Sequence, residues 1–185
     1  MNYFFTADTH FNHKRILEIC RPMFANIDDM NKEIISKWNA VVKPGDFVYH
    51  LGDFGWKDSE HILRCLNGQK ILTIGSHDSE AKRLKKYFGQ QTQIKEITIN
   101  GQVVILSHTA MRVWEKSHYG AWHLFGHSHG CLAPYGKSFD VGVDAHDFWP
   151  WSWDEVVEKM KTLGDNINDS RYMKMVEIAG TKEDE

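Results

Sequence analysis

The 185 residues suit one domain with room for a substantial core. With 42% apolar and 12% aromatic residues and a net charge of −3, the composition excludes a disordered chain and argues against a broad, nonspecific nucleic-acid binder. No apolar run is long enough to span a bilayer, the start Met1-Asn2-Tyr3-Phe4-Phe5 lacks a basic signal-peptide head, and three scattered cysteines, Cys20, Cys65 and Cys131, make no disulfide framework, so a reducing cytoplasm is the expected setting.

The first predicted strand, Asn2 to Ala7, runs into Asp8-Thr9-His10. A polar stretch, Phe11-Asn12-His13-Lys14-Arg15, precedes a short helical face of Ile16, Leu17 and Ile19, which Arg21-Pro22 ends. Asp28-Asp29 reads as a helix start, with Met30, Ile34, Ile35 and Trp38 following at helical spacing. After the turn Pro44-Gly45-Asp46, the strand Phe47 to Leu51 leads to Gly52-Asp53, with His50 a candidate core residue. A helix from Ser59 to Leu66 closes at Asn67-Gly68, and the strand Lys70 to Ile74 ends in Gly75-Ser76-His77-Asp78. A charged helix is predicted over Glu80 to Phe88.

Gln93 to Ile99 and Gln102 to Leu106 flank Asn100-Gly101, a strong hairpin signal, and the second arm ends in Ser107-His108. Ala121 to Phe125 then leads into Gly126-His127-Ser128-His129. Ser138 to Val143 is a further strand, carrying Asp140 before Asp144. Ser152-Trp153-Asp154-Glu155 is a capping box into a helix from Glu155 to Leu163. The tryptophan-rich stretch Phe148 to Trp153 reads as core packing for that helix, with a base-stacking platform or a dimer contact as the other reading. One domain over 1–180 is expected, with a frayed tail at 181–185.

Five predicted strands thus end in Asp8/His10, Asp53, Ser76/His77, His108 and His127/His129. Alternating strands and helices argue for an α/β sheet, whose ligand crevice lies beyond the carboxyl ends of its strands. Residues two apart in an extended segment point the same way, so His127 and His129 are expected to aim at one spot. Carboxylates and imidazoles without thiolates suit manganese, iron, zinc, nickel or cobalt. There are too many ligands for one tetrahedral ion, and two ions need a bridging carboxylate, for which Asp53 is the candidate.

The ordered set D-x-H, G-D, G-x-H-D, a lone H and G-H-x-H, from Asp8 to His129, resembles the calcineurin-like metallophosphoesterase superfamily. The runs His50 to Phe54 and Asp140 to Asp144 resemble its small bacterial and phage members. The resemblance implies an α/β fold: a four-layer αββα sandwich of two mixed sheets flanked by helices. It implies that Asp8, His10 and His129 hold one divalent ion, that His108 and His127 hold a second, and that Asp53 bridges them. Manganese is the first expectation, ahead of iron, zinc, nickel or cobalt. Water shared by the ions would attack phosphorus, and His77 would protonate the leaving oxygen.

One departure stands out. Where the family carries asparagine as a ligand to the second ion, this chain has Ser76, whose hydroxyl is shorter and a poorer donor, so a weaker second site is expected. Asn12, His13, Arg21 and Arg112 are candidate substrate contacts, the arginines because they suit phosphate. The implied activity is a phosphodiesterase acting on a nucleotide or other small phosphate ester, as a monomer or homodimer with no membrane partner. A metal-dependent nuclease is the alternative, disfavoured by the absence of basic excess. A catalytically weakened scaffold, as in retromer, is the alternative that Ser76 supports.

Overall fold

A computed structural model describes residues 1–78, 84 and 86–166. Its first sheet contains β1 (Tyr3–Thr6), β2 (Phe47–His50), β3 (Gln69–Thr73), β4 (Gln91–Thr92) and β9 (Trp151–Ser152), in the order β4-β3-β2-β1-β9. All pairings are parallel except that of β9 with β1. The second sheet contains β5 (Ile94–Ile99), β6 (Gln102–Ser107), β7 (Trp122–Phe125) and β8 (Ser138–Asp140), in that order. Only β5 runs antiparallel there, joined to β6 through Asn100 and Gly101, which both take positive φ (50° and 83°), as a tight hairpin demands.

Alternation along the first sheet feeds two cores. Phe4, Val48 and Leu72 face α1 (Ile16–Ile19), α2 (Ile27–Val41) and α3 (Glu60–Cys65), packing against Met30, Ile34, Trp38, Ile62 and Leu63. Phe5 and Tyr49 face the other way, into the space between the sheets. There they meet Val104, Leu106, Leu124 and Phe139, together with Trp153, Val156 and Met160 of α4 (Trp153–Lys161). The outer face of the second sheet is covered thinly, by Trp114 and Ala121 over Ile105, in a connection whose regular part is a single 3₁₀ turn at Ser117–Tyr119. This is the αββα order with a reduced fourth layer. No helix among the described residues is long and apolar enough to cross a membrane.

Several boundaries move. Helix α2 begins at Ile27, because Asn26 caps it by accepting from the Asp29 amide. The capping box of α4 forms as expected, but with Ser152 as the cap the helix starts at Trp153 rather than Glu155. The strand expected over Ser138 to Val143 stops at Asp140, since the Asp140 carboxylate accepts from the Gly142 amide and bends the chain into a 3₁₀ turn at Val143–Ala145. The two-residue strands β4 and β9 are too short to carry a periodic signal. The predicted helix Glu80 to Phe88 falls mostly, and the tail 181–185 wholly, outside the described residues. The tryptophan-rich stretch packs inward: Trp153 lies against Trp122 and Phe5, and Trp151 against Phe139.

Parallel pairing sends β1, β2 and β3 out of the first sheet at one edge, and β6, β7 and β8 likewise out of the second. A bridge from Ala7 to Gly142 stitches the two edges together. Everything that follows lies along that seam.

Candidate metal centre

Beyond β1 and β2 the chains stay in register without remaining strands. The amides of Asp8, His10 and Phe11 donate to the carbonyls of Gly52, Asp53 and Phe54, each at 3.0 Å. Asp8, His10, Asn12 and Asp53 all take positive φ, between 47° and 62°, as do His127 (69°) and His129 (48°). Left-handed backbone at residues other than glycine costs on the order of 1–3 kcal/mol each and gathers at functional sites. Two glycines permit the close approach of these loops. A Cβ on Gly126 would lie 2.7 Å from Asp8 Oδ2, and one on Gly75 would collide with the Asp53 amide and Oδ1.

Two ligand groups result. Asp8, His10 and His129 form one, and Asp53, His108 and His127 the other; within each, one donor atom per residue lies within 4.8 Å of the rest. Asp53 stands between them, with Oδ2 3.7 Å from His10 Nε2 and Oδ1 3.5 Å from His108 Nε2. His127 and His129 therefore do not share a spot. The extended-chain argument fails because both residues are left-handed, which turns His129 onto His10 (rings 5.2 Å apart) and His127 onto His108 (5.1 Å).

The donor set fits a cation. Asp8 Oδ1, His10 Nε2 and His108 Nε2 are buried without a hydrogen-bond partner. Leaving polar atoms so costs about 1–3 kcal/mol each unless something else satisfies them. Burial pushes the Asp8 carboxyl up to about 7 and the His10 imidazole down to about 3, so His10 presents a free lone pair. Burial also works against charge on His108 and Asp53. There the attraction between the two groups wins, lifting His108 to about 9 and, with the bond from the His77 amide, holding Asp53 well below the usual carboxylate range. A divalent cation would favour the deprotonated form of each.

The ligands are braced from behind. His129 Nδ1 lies 2.6 Å from Asp144 Oδ2, and Arg21 forks onto the same carboxylate through Nε and Nη2, both at 2.8 Å. Those two partners outweigh burial and hold the Asp144 carboxyl down to about 2. Arg21 also donates to the backbone carbonyls of Asp8 and Thr9. A carboxylate behind a metal-binding imidazole fixes its ring and leaves Nε2 to the ion. Cys20 Sγ sits 3.6 Å from the same Nδ1, but burial and Asp144 raise its thiol to about 11, so it stays protonated and is a poor ligand. On the other side, His108 Nδ1 donates to the Leu51 carbonyl at 2.8 Å.

Two acids tie the loops. Asp78 accepts from the amides of Asp53, Phe54 and Gly75. Asp140 accepts from Ser128 Oγ and the Gly130 and Gly142 amides. Asp78, Asp140 and Asp144 received no role from the sequence, although all three stand inside the runs that carried the resemblance. The interior histidines do not reach the centre. His50 donates through Nε2 to Thr9 Oγ, which donates in turn to the Phe54 carbonyl. His123 is held between Ser107 and Ser138.

Of the expected substrate contacts, His13 lies at the rim, its ring 5.3 Å from His10 and 5.9 Å from His77. Arg21 is corrected: fully buried, it braces Asp144 and cannot meet a phosphate. Asn12 is also corrected, because its side chain is taken up by the Lys57 carbonyl and by Asn31. Arg112 lies exposed over the Tyr135 ring at 4.4 Å. Ser76 is exposed beside His77, whose amide donates to Asp53 Oδ1 at 2.8 Å and whose Nε2 lies 4.0 Å from Asp53 Oδ2.

No protein-family model matches the chain. The uncharacterized protein MJ1445 of Methanocaldococcus jannaschii is 32% identical over 178 residues, covering 88% of this chain and 94% of the relative. The crystal structure of AQ665 from Aquifex aeolicus, a protein of unknown function, matches 85% of this chain and 98% of its own at 26% identity, with a TM-score of 0.69. A novel archaeal phosphodiesterase shares the fold at 18% identity and a TM-score of 0.52, over 77% of this chain and 82% of its own.

Proposed function

We propose that the chain is a metallophosphoesterase of the calcineurin-like superfamily, whose fold it shares with an archaeal phosphodiesterase, and that it hydrolyses phosphate esters using two divalent cations. One observation carries this reading: a single carboxylate, Asp53, faces both ligand groups with one oxygen each. Asp8, His10 and His129 would hold one ion, and His108 and His127 the other, with Asp53 between them. Ser76, beside His77, stands at the position that the resemblance gives to the second ion's neutral oxygen ligand. Manganese is the leading candidate, with iron, zinc, nickel and cobalt behind it. When bound, such a pair supplies Lewis-acid charge at the phosphoryl group and lowers the pKa of the attacking water.

The chain's own residues do the rest. Burial of Asp8, His10 and Asp53 excludes bulk water from the floor, which strengthens every charge interaction above it. His77 stands over the rim with its side chain 48% exposed, so Nε2 can deliver a proton to the leaving oxygen of a bound ester. Its backbone bond to Asp53 fixes the turn from which the ring projects. The preferred substrate is a small phosphodiester or nucleotide.

Turnover of bis-p-nitrophenyl phosphate with added manganese tests the proposal. Activity should appear with the metal, vanish with a chelator and be absent in Asp53→Asn. No turnover by the wild-type chain or by Ser76→Asn with any divalent ion would instead favour the scaffold reading, which the exposed Ser76 supports. Cleavage of a labelled oligonucleotide in preference to the small diester would favour a nuclease.

A further inference from the structure

Around His77 the rim is built of rings. His13 stacks on Trp56, with centroids 5.0 Å apart and planes 18° from parallel, and also meets His10, tilted by 38° at 5.3 Å. His77 touches all three, at 5.7 Å from His10, 5.9 Å from His13 and 6.1 Å from Trp56. The indole is thus the exposed end of a run of rings that begins at the buried His10. It is also fixed at its base. The Trp56 amide donates to the Phe11 carbonyl at 2.7 Å, Phe11 bridges Gly55, and Asn12 binds the Lys57 carbonyl.

Yet Trp56 remains 44% exposed. A tryptophan that only packed the core would bury more of its area, and a floppy surface residue would not be clamped at the backbone and backed by an imidazole. We propose that Trp56 is the platform on which a planar aromatic group of the ester, such as a nucleobase, stacks while its phosphate lies at the metal centre. His13 is then a positioning residue that holds the indole against the rim. The orientation places the aromatic group beside His77, the side on which the leaving oxygen is protonated. This rests on the phosphoesterase reading for the position of the phosphate, but not for the stacking itself.

The test measures binding rather than turnover. With manganese present, AMP and ribose 5-phosphate are titrated by calorimetry into the wild type, Trp56→Phe and Trp56→Leu. Stacking of one base on an aromatic ring gives AMP an advantage of about tenfold in the wild type. Trp56→Phe should keep most of that advantage, while Trp56→Leu, which keeps bulk without a π-face, should lose it and leave ribose 5-phosphate unchanged. Equal affinities in the wild type, or a preference for AMP that survives Trp56→Leu, would overturn the platform. The two readings fail separately. An AMP preference lost in Trp56→Leu, without hydrolysis of any diester, removes the phosphoesterase and keeps the platform; hydrolysis without the preference does the reverse.

Discussion

The two halves of the candidate metal centre are built from similar donors and braced differently. Asp8, His10 and His129 lean on an ionic brace, in which Arg21 grips Asp144 and Asp144 grips His129. In the other group no charged side chain among the described residues backs an imidazole: the Leu51 carbonyl stands behind His108, and the carboxylates of Asp78 and Asp8 accept only from the backbone amides of Asp53 and His127. His127 is exposed where His10 and Asp8 are buried. A charged brace fixes an imidazole more firmly than a carbonyl does. On the proposed two-ion reading, the first half would be the tighter cation site, and the second the one open to exchange and to substrate.

The harshest trial of that division is Asp53→Asn. Because Asp53 faces both groups, both ions should be lost together, with diester hydrolysis falling by about a thousandfold or more. Metal analysis showing one ion retained at full occupancy would mean the halves do not share this carboxylate. Next in size is the brace itself. Asp144→Asn should weaken metal affinity about 10–100-fold at the first half only. Arg21→Met strands a buried carboxylate and should cost about 3–5 kcal/mol in chemical denaturation, well above an exposed substitution such as Lys43→Met.

Acid should part the halves. The Asp144 carboxyl is depressed in the folded state, so its contribution is complete above the ordinary carboxylate value and is lost only as pH falls through about 2. His123 is the opposite case. Burial lowers its imidazole to about 4, so it folds neutral, and stability drains away as pH falls from about 6.5 toward 4. Metal-free wild type should lose about 3 kcal/mol more over that interval than His123→Gln, read from urea unfolding at each pH. Parallel curves for the two proteins would remove His123 from the account. The smallest expected change is a gain: Ser76→Asn should tighten the second ion by about tenfold, through a carbonyl that reaches further than a hydroxyl. No change in manganese stoichiometry or affinity would show that this position does not complete the second group.

Much of the fold was legible in advance because it depends on local periodicity. The apolar runs of β1, β2 and β6, the helical spacing of α2, the Asn100-Gly101 hairpin and the Ser152/Glu155 cap all act within a few residues of chain. What escaped were β4 and β9, two residues each, which exist only because β3 and β1 offer them partners. The site shows the same split. Every aspartate and histidine of the two ligand groups stood at a predicted strand end. The supports did not announce themselves, because an arginine at position 21 and an aspartate at 144 have no pattern between them.

Residue type and order determined by themselves that this protein carries a rim of candidate cation ligands, since carboxylates and imidazoles recurring after apolar strands have few other uses. How those groups divide was left to the tertiary structure. Left-handed backbone at His127 and His129 turns neighbours in sequence toward different partners, and only the folded chain brings Arg21 beneath Asp144 or sets Trp56 on His13. Such choices depend on directions in space between distant segments, which a linear order of residues does not encode locally.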